Sequence, residues 1–118
     1  VVGISGPYDF HPWRSPEAQA AFDAWPDPKA TQPVNLVRCD ALPMLLLTGD
    51  QDTTVRLTNT MALAARLKAV GAPVSSRIYP GLGHVDILTG MSRLLRQRGT
   101  ALDDMDMFLK ARLGARVP

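Results

Sequence analysis

An aspartate and a histidine stand where chemistry could be done. Asp52 lies in Gly49-Asp50-Gln51-Asp52-Thr53-Thr54-Val55, directly after the apolar run Pro43-Met44-Leu45-Leu46-Leu47. Thirty-two residues after Asp52, a second strand-like run closes in Gly81-Leu82-Gly83-His84. An imidazole that shuttles a proton needs an acceptor for the N–H of its other ring nitrogen. A carboxylate in that place fixes the tautomer and stabilises the transient imidazolium. An acid and then a base, each just past the carboxyl end of a strand, are the second and third members of a nucleophile–acid–base triad in the chain order nucleophile, acid, base. Gly81 and Gly83 are expected to let the backbone turn tightly beneath the ring. The competing reading is that Asp50 and Asp52 only cap the next helix and that His84 is a surface loop residue.

No Gly-x-Ser-x-Gly occurs anywhere in the 118 residues. Gly3-Ile4-Ser5-Gly6-Pro7 stands in the right order for a nucleophile elbow. That elbow needs a helix directly after the serine, and Tyr8-Asp9-Phe10-His11-Pro12 is poor material for one. Ser5 is therefore not expected to be the nucleophile. Asp86 is expected to be the N-cap of the helix that follows it, and His11, among prolines and aromatics, to be structural. With two histidines and no clustered ligands, neither a metal nor another cofactor is expected.

The elements that must position Asp52 and His84 are legible in the alternation of strand and helix periods. Strands are expected at Val1 to Ser5, Leu42 to Thr48 and Val74 to Tyr79. A helix should begin at Ser15-Pro16, with serine as cap and proline at the first turn, and end before Pro26. Another should occupy Leu57 to Val70, its inward stripe Leu57, Met61, Ala64 and Leu67. Gly71 supplies the left-handed C-terminal position, and Pro73 stops continuation. Ile87 to Arg98 reads as a helix closed by Gly99. The last helix starts at a Thr100–Asp103 capping box and shows Leu102, Met105, Leu109 and Leu113 on one side. Apolar strands separated by helices make an α/β fold of three parallel strands with flanking helices. In such a sheet the loops at the carboxyl ends of the strands line one crevice, where Asp52 and His84 both fall.

Gly6 to Pro33 differs in character, holding six of the ten prolines and five of the seven aromatics. It is read as a pocket-bordering segment at 6–33, set beside a sheet-and-helix part at 42–113, within a single domain that spans 1–118. Its aromatics could wall a substrate pocket or merely pack a small cap helix.

Bulk composition narrows the classes. A chain of this length holds one core and not two comfortably. Thirteen basic against eleven acidic residues leave +2. The arginines at 93, 96, 98, 112 and 116 lack interleaved aromatics, so no nucleic-acid partner is expected. No apolar run approaches a membrane span, and no charged-then-apolar leader opens the chain. Cys39, the single cysteine, is expected to be a small buried or partly exposed thiol, compatible with a reducing, cytoplasmic setting. The chain opens in a strand-like run without an initiator methionine, as a piece cut from a longer protein would.

Nearly the whole chain resembles the C-terminal half of an α/β-hydrolase of the small esterase/lipase type, related to carboxylesterases and kynurenine formamidase. The stretches that carry the likeness are Ile4 to Phe10, Leu45 to Val55, and Tyr79 to His84. The resemblance implies the C-terminal part of an α/β-hydrolase fold and a parent that hydrolyses carboxylic esters or related acyl bonds. It makes Asp52 the triad acid, Asp50 not, and His84 the base, and it places the serine upstream of Val1. It also implies a small-molecule ester or acyl substrate. Without the neighbouring strand, the Val1–Ser5 edge would be bare and apolar, so a homo-oligomer formed through it is expected, to be checked by light scattering. The alternative of another class is a self-standing α/β binding or interaction module with no chemistry.

Overall fold

The computed structural model describes residues 1–92 and 100–114. Three parallel strands, β1 (Val2–Ile4), β2 (Met44–Gly49) and β3 (Val74–Tyr79), form a sheet in the order β1-β2-β3. Val2 pairs with Leu45 and Ile4 with Leu47, while Met44 pairs with Val74 and Gly49 with Tyr79. The centre belongs to β2: from Leu45 to Gly49 every residue is buried. That burial on both faces is why the run reads as continuously apolar instead of alternating.

Leu46 packs on one face of the sheet with Leu63, Ala64 and Leu67 of helix α2 (Leu57–Ala69) and with Ala72. Leu45 and Leu47 pack on the other with Tyr79, with Ile87 of α3 (His84–Thr89) and with Ala101 of α4 (Ala101–Leu113). A short helix, α1 (Pro16–Phe22), is capped by the Ser15 hydroxyl, which accepts from the Ala18 N–H at 3.1 Å. Two 3₁₀ turns, Pro28–Thr31 and Pro33–Asn35, lead the chain back towards β2. Among the described residues, no helix is long and apolar enough to cross a membrane.

Several expectations shift. The inward stripe of α2 is Thr60, Leu63, Ala64 and Leu67, and Met61 is 55% exposed. Polar Asn59 and Thr60 are buried instead, Asn59 because backbone donors reach it from elsewhere in the chain. α4 turns Ala101, Met105 and Phe108 to the core, leaving Leu109 and Leu113 exposed. Its Thr100 makes no side-chain cap bond, so the expected capping box is absent. Asp104, one position past the acid of that box, accepts from the Tyr79 hydroxyl at 2.6 Å. Burial and then that carboxylate push the phenol pKa up.

β3 is exposed from Ser75 to Ile78, and β1 is only partly covered. Cys39 is exposed. The helix expected over Ile87 to Arg98 is α3, which begins earlier, at His84, and ends at Thr89; residues 93–99, and with them Arg93, Arg96, Arg98 and Gly99, lie outside the described residues, as does Arg116. Arg112 lies over the Phe108 ring at 5.7 Å.

Candidate active site

β2 ends at Gly49 and β3 at Tyr79, in register, so the loops that follow leave the sheet side by side. Backbone and side-chain bonds then join them. Asp50 N–H donates to the Tyr79 carbonyl at 3.2 Å and Gln51 N–H to the Leu82 carbonyl at 3.1 Å. The Asp50 carboxylate accepts from the Gly81 N–H at 2.8 Å. Asp50 therefore caps no helix: it ties the histidine loop to the aspartate loop. Gly81 sits at φ +74°, where a side chain would be strained. Gly83 has φ −90° and does not depend on being glycine for its conformation.

Asp52 follows one turn later. Its Oδ1 accepts from the backbone N–H groups of Thr54 at 3.0 Å and Val55 at 2.8 Å, an arrangement that closes the loop ahead of α2. Its Oδ2 is left for the Nδ1 of His84, at 2.8 Å. The carboxylate side chain is fully buried and the imidazole 27% exposed. Asp52 is no helix cap either, since α2 is capped at Arg56 without a side-chain bond: one carboxylate oxygen serves the loop and the other the ring. Burial alone would raise the Asp52 pKa. The Val55 N–H, then the bond and charge of His84, outweigh it and hold the carboxyl below its usual range.

An ionised acceptor at Nδ1 keeps the proton there and leaves the lone pair of the neutral ring on Nε2. His84 opens α3 instead of ending a loop. Asp86 is not its N-cap. It stands at the third helical position, and its carboxylate accepts from the Gly83 N–H at 2.8 Å.

The depressed carboxyl has a consequence for stability. The unfolded chain takes up a proton on this aspartate near pH 4, the folded chain only at lower pH. Its contribution is therefore complete above about pH 4 and is lost as pH falls through the depressed folded value. Urea midpoints measured from pH 5 to pH 2 should fall less steeply for Asp52→Asn than for the parent chain. Equal slopes would contradict the pairing.

Ser5 was not expected at the elbow of a nucleophile, yet it has φ +45° and is buried. A turn follows it, and the next helix starts only at Pro16. Among the described residues its hydroxyl has no hydrogen-bond partner, although it lies close enough to Asp52 to lower that carboxyl weakly. It makes no bond to His84.

Three rings of the aromatic segment pack on one another. The Phe10, Trp13 and Phe22 ring centroids lie 5.3–5.4 Å apart, with Phe22 edge-on to Phe10, and His11 meets Trp13 edge-on at 4.7 Å. Two buried amides missed by sequence reasoning hold the segment in place. Asn59 Oδ1 accepts from the Tyr8 and Asp9 N–H groups, and Gln32 Oε1 from those of Phe10 and His11. Between this segment and the loop that carries Asp52 opens a cleft of about 540 Å³, which Phe10 lines and Trp13 and Phe22 do not.

Residues 8–116 match the prolyl oligopeptidase family of peptidases. The chain belongs to that family. Solved structures agree with the fold. Esterase 2 of Thermogutta terrifontis, in a form phosphorylated by paraoxon, is 27% identical over 78% of this chain and 35% of its own, with a TM-score of 0.63. The apo form of that enzyme aligns over 99% of this chain and 42% of its own, at 20% identity and a TM-score of 0.71. An acetyl ester-xyloside bifunctional hydrolase from Caldicellulosiruptor lactoaceticus is 17% identical over 93% of this chain and 41% of its own, with a TM-score of 0.74. No curated protein matches. The chain spans well under half the length of the solved structures named here, 35% to 42% of their own chains. Its architecture is part of an α/β-hydrolase fold, three parallel strands with flanking helices.

Proposed function

We propose that this chain supplies the acid and the base of a serine hydrolase acting on carboxylic esters or related acyl bonds. The observation that carries the reading is the 2.8 Å bond between a fully buried, pKa-depressed Asp52 and the Nδ1 of His84. His84 Nε2 takes the proton of a serine hydroxyl as its oxygen attacks the acyl carbon, then returns a proton to the departing alcohol or amine. Asp52 keeps the ring in the tautomer this requires and stabilises the imidazolium between the two transfers. The nucleophile comes from a segment N-terminal to β1 in a longer parent. β1 is an edge in the described sheet, hydrogen-bonded to β2 alone, and would take the nucleophile's strand beside it. A second copy pairing there is the proposed assembly of the isolated chain.

The family name points to peptide bonds, and the neighbours named above are esterases or an acetyl ester hydrolase. Both are acyl transfers to water, and the same acid–base pair serves either. Residues 6–33 border the substrate, and 42–113 hold the pair.

The 118-residue chain by itself should not hydrolyse nitrophenyl acetate above the buffer rate, because a base without a nucleophile and oxyanion donors has nothing to activate. Enzyme-like turnover that disappears on Ser5→Ala would overturn the assignment of the nucleophile to another segment.

A further inference from the structure

The cleft between the 7–15 segment and the 53–59 loop has a charge pattern that the acid–base pair does not use. Arg14 lines it from the aromatic segment and Arg56 from the residue before α2. Among the described residues neither guanidinium is in an ion pair or a side-chain hydrogen bond, whereas Arg38 and Arg77 both have acidic partners. Among the described residues the only acid in the cleft wall is Asp9. Its backbone N–H is held by Asn59, so the acid is fixed in sequence beside the cleft by the same anchor that positions the wall. Two guanidinium groups against one carboxylate leave a single positive charge. Thr53, Thr54, Thr58 and Ser15 add hydroxyls to the same walls.

We infer that this cleft is a subsite for a monoanionic, planar carboxylate carried by the substrate at a distance from the bond that is cut. The guanidinium fork matches a carboxylate through two parallel N–H bonds, and one net positive charge suits a monoanion better than a dianion. Phe10, Pro7 and Pro12 give the apolar wall along which a short carbon chain would lie. The cleft shares Thr53 to Val55 with the loop that holds Asp52, and on the hydrolase reading a group bound here is part of the molecule presented to His84. The substrate class is then an acyl compound with a second, free carboxylate, such as the half-ester of a dicarboxylic acid. This identification of the ligand as substrate rests on the hydrolase reading; the binding itself does not.

The test is a titration of the isotope-labelled 118-residue chain with monomethyl succinate, followed by amide and arginine Nε–H resonances, with methyl butyrate as the uncharged comparison. Saturable shifts at Arg14, Ser15 and Thr53 to Asn59 are expected, with a dissociation constant on the order of 1–10 mM. Methyl butyrate should not produce them. Arg14→Gln and Arg56→Gln each change an exposed side chain and should weaken binding about ten-fold. Equal binding of the two esters, no saturable shift, or binding unchanged in both variants would overturn the inference. The hydrolase reading is scored separately, on a labelled Asp52→Asn sample. A His84 Nδ1–H signal that survives Asp52→Asn counts against the acid–base pair and leaves the anion cleft standing.

Discussion

Replacing His84 by alanine in a chain that includes the nucleophile should lower kcat about a million-fold, and Asp52→Asn about ten-thousand-fold. The two figures differ for a physical reason. Without the imidazole no group within reach takes the serine proton, and the step stops. With asparagine at position 52 the ring remains, but the amide must present either a carbonyl or an NH₂ to Nδ1. Thr54 and Val55 N–H already claim the Oδ1 side, so the NH₂ faces the ring and forces the proton onto Nε2. That is the wrong tautomer for a base. The double variant should be no slower than His84→Ala alone, because the acid acts only through the base. Stopped-assay kcat values on nitrophenyl acetate measure all three, and an Asp52→Asn variant within ten-fold of the parent would remove Asp52 from the mechanism. Urea midpoints run alongside separate lost chemistry from lost folding.

The pairing of Asp52 with His84 was legible because a parallel sheet leaves little choice. Two loops that follow adjacent strands at the same end must meet, and the apolar run from Met44 to Leu47 announces a strand buried on both faces. What the sequence hid was polar burial. Asn59, Thr60 and Gln32 look like surface residues, and the apolar spacing of Leu57, Met61, Ala64 and Leu67 puts Met61 on the inward stripe of α2 where Thr60 and Leu63 stand beside Ala64 and Leu67. The donors that satisfy Asn59 belong to Tyr8 and Asp9, about fifty residues earlier, and no periodicity within a helix reports them. Gln32 is 1% exposed for the same kind of reason, its carbonyl holding the Phe10 and His11 N–H groups. Asp50 likewise reads as a helix cap until the Gly81 N–H is seen on its carboxylate. Leu109 and Leu113 show the opposite effect: their helical spacing places them with Leu102 and Met105, yet α4 leaves them exposed.

Gly49 is the position where these constraints converge, and Gly49→Ala should both destabilise the chain and open the acid–base pair. The residue is the last of β2 and is buried. A Cβ built on it would fall on the Leu82 carbonyl oxygen and lie 2.7 Å from the Leu82 carbonyl carbon. That oxygen is the acceptor for the Gln51 N–H, one of the bonds that join the aspartate loop to the histidine loop. It is backbone, not the end of a flexible side chain, so only movement of the whole 81–84 turn can relieve the contact. His84 begins two residues after Leu82, and its ring must move with that turn. Overpacking of this kind costs about 1–3 kcal/mol, which for a domain of this size is a fall of several degrees in the thermal midpoint. The sharper readout is local. The His84 Nδ1–H resonance should weaken or vanish under conditions where the rest of the amide spectrum remains folded, and kcat in the nucleophile-bearing chain should fall further than the loss of folded protein explains. An alanine variant with an unchanged midpoint and an intact Nδ1–H signal would show that the Leu82 turn does not press on the end of β2, and that the bonds from Asp50 and Gln51 alone bring the imidazole to its acid.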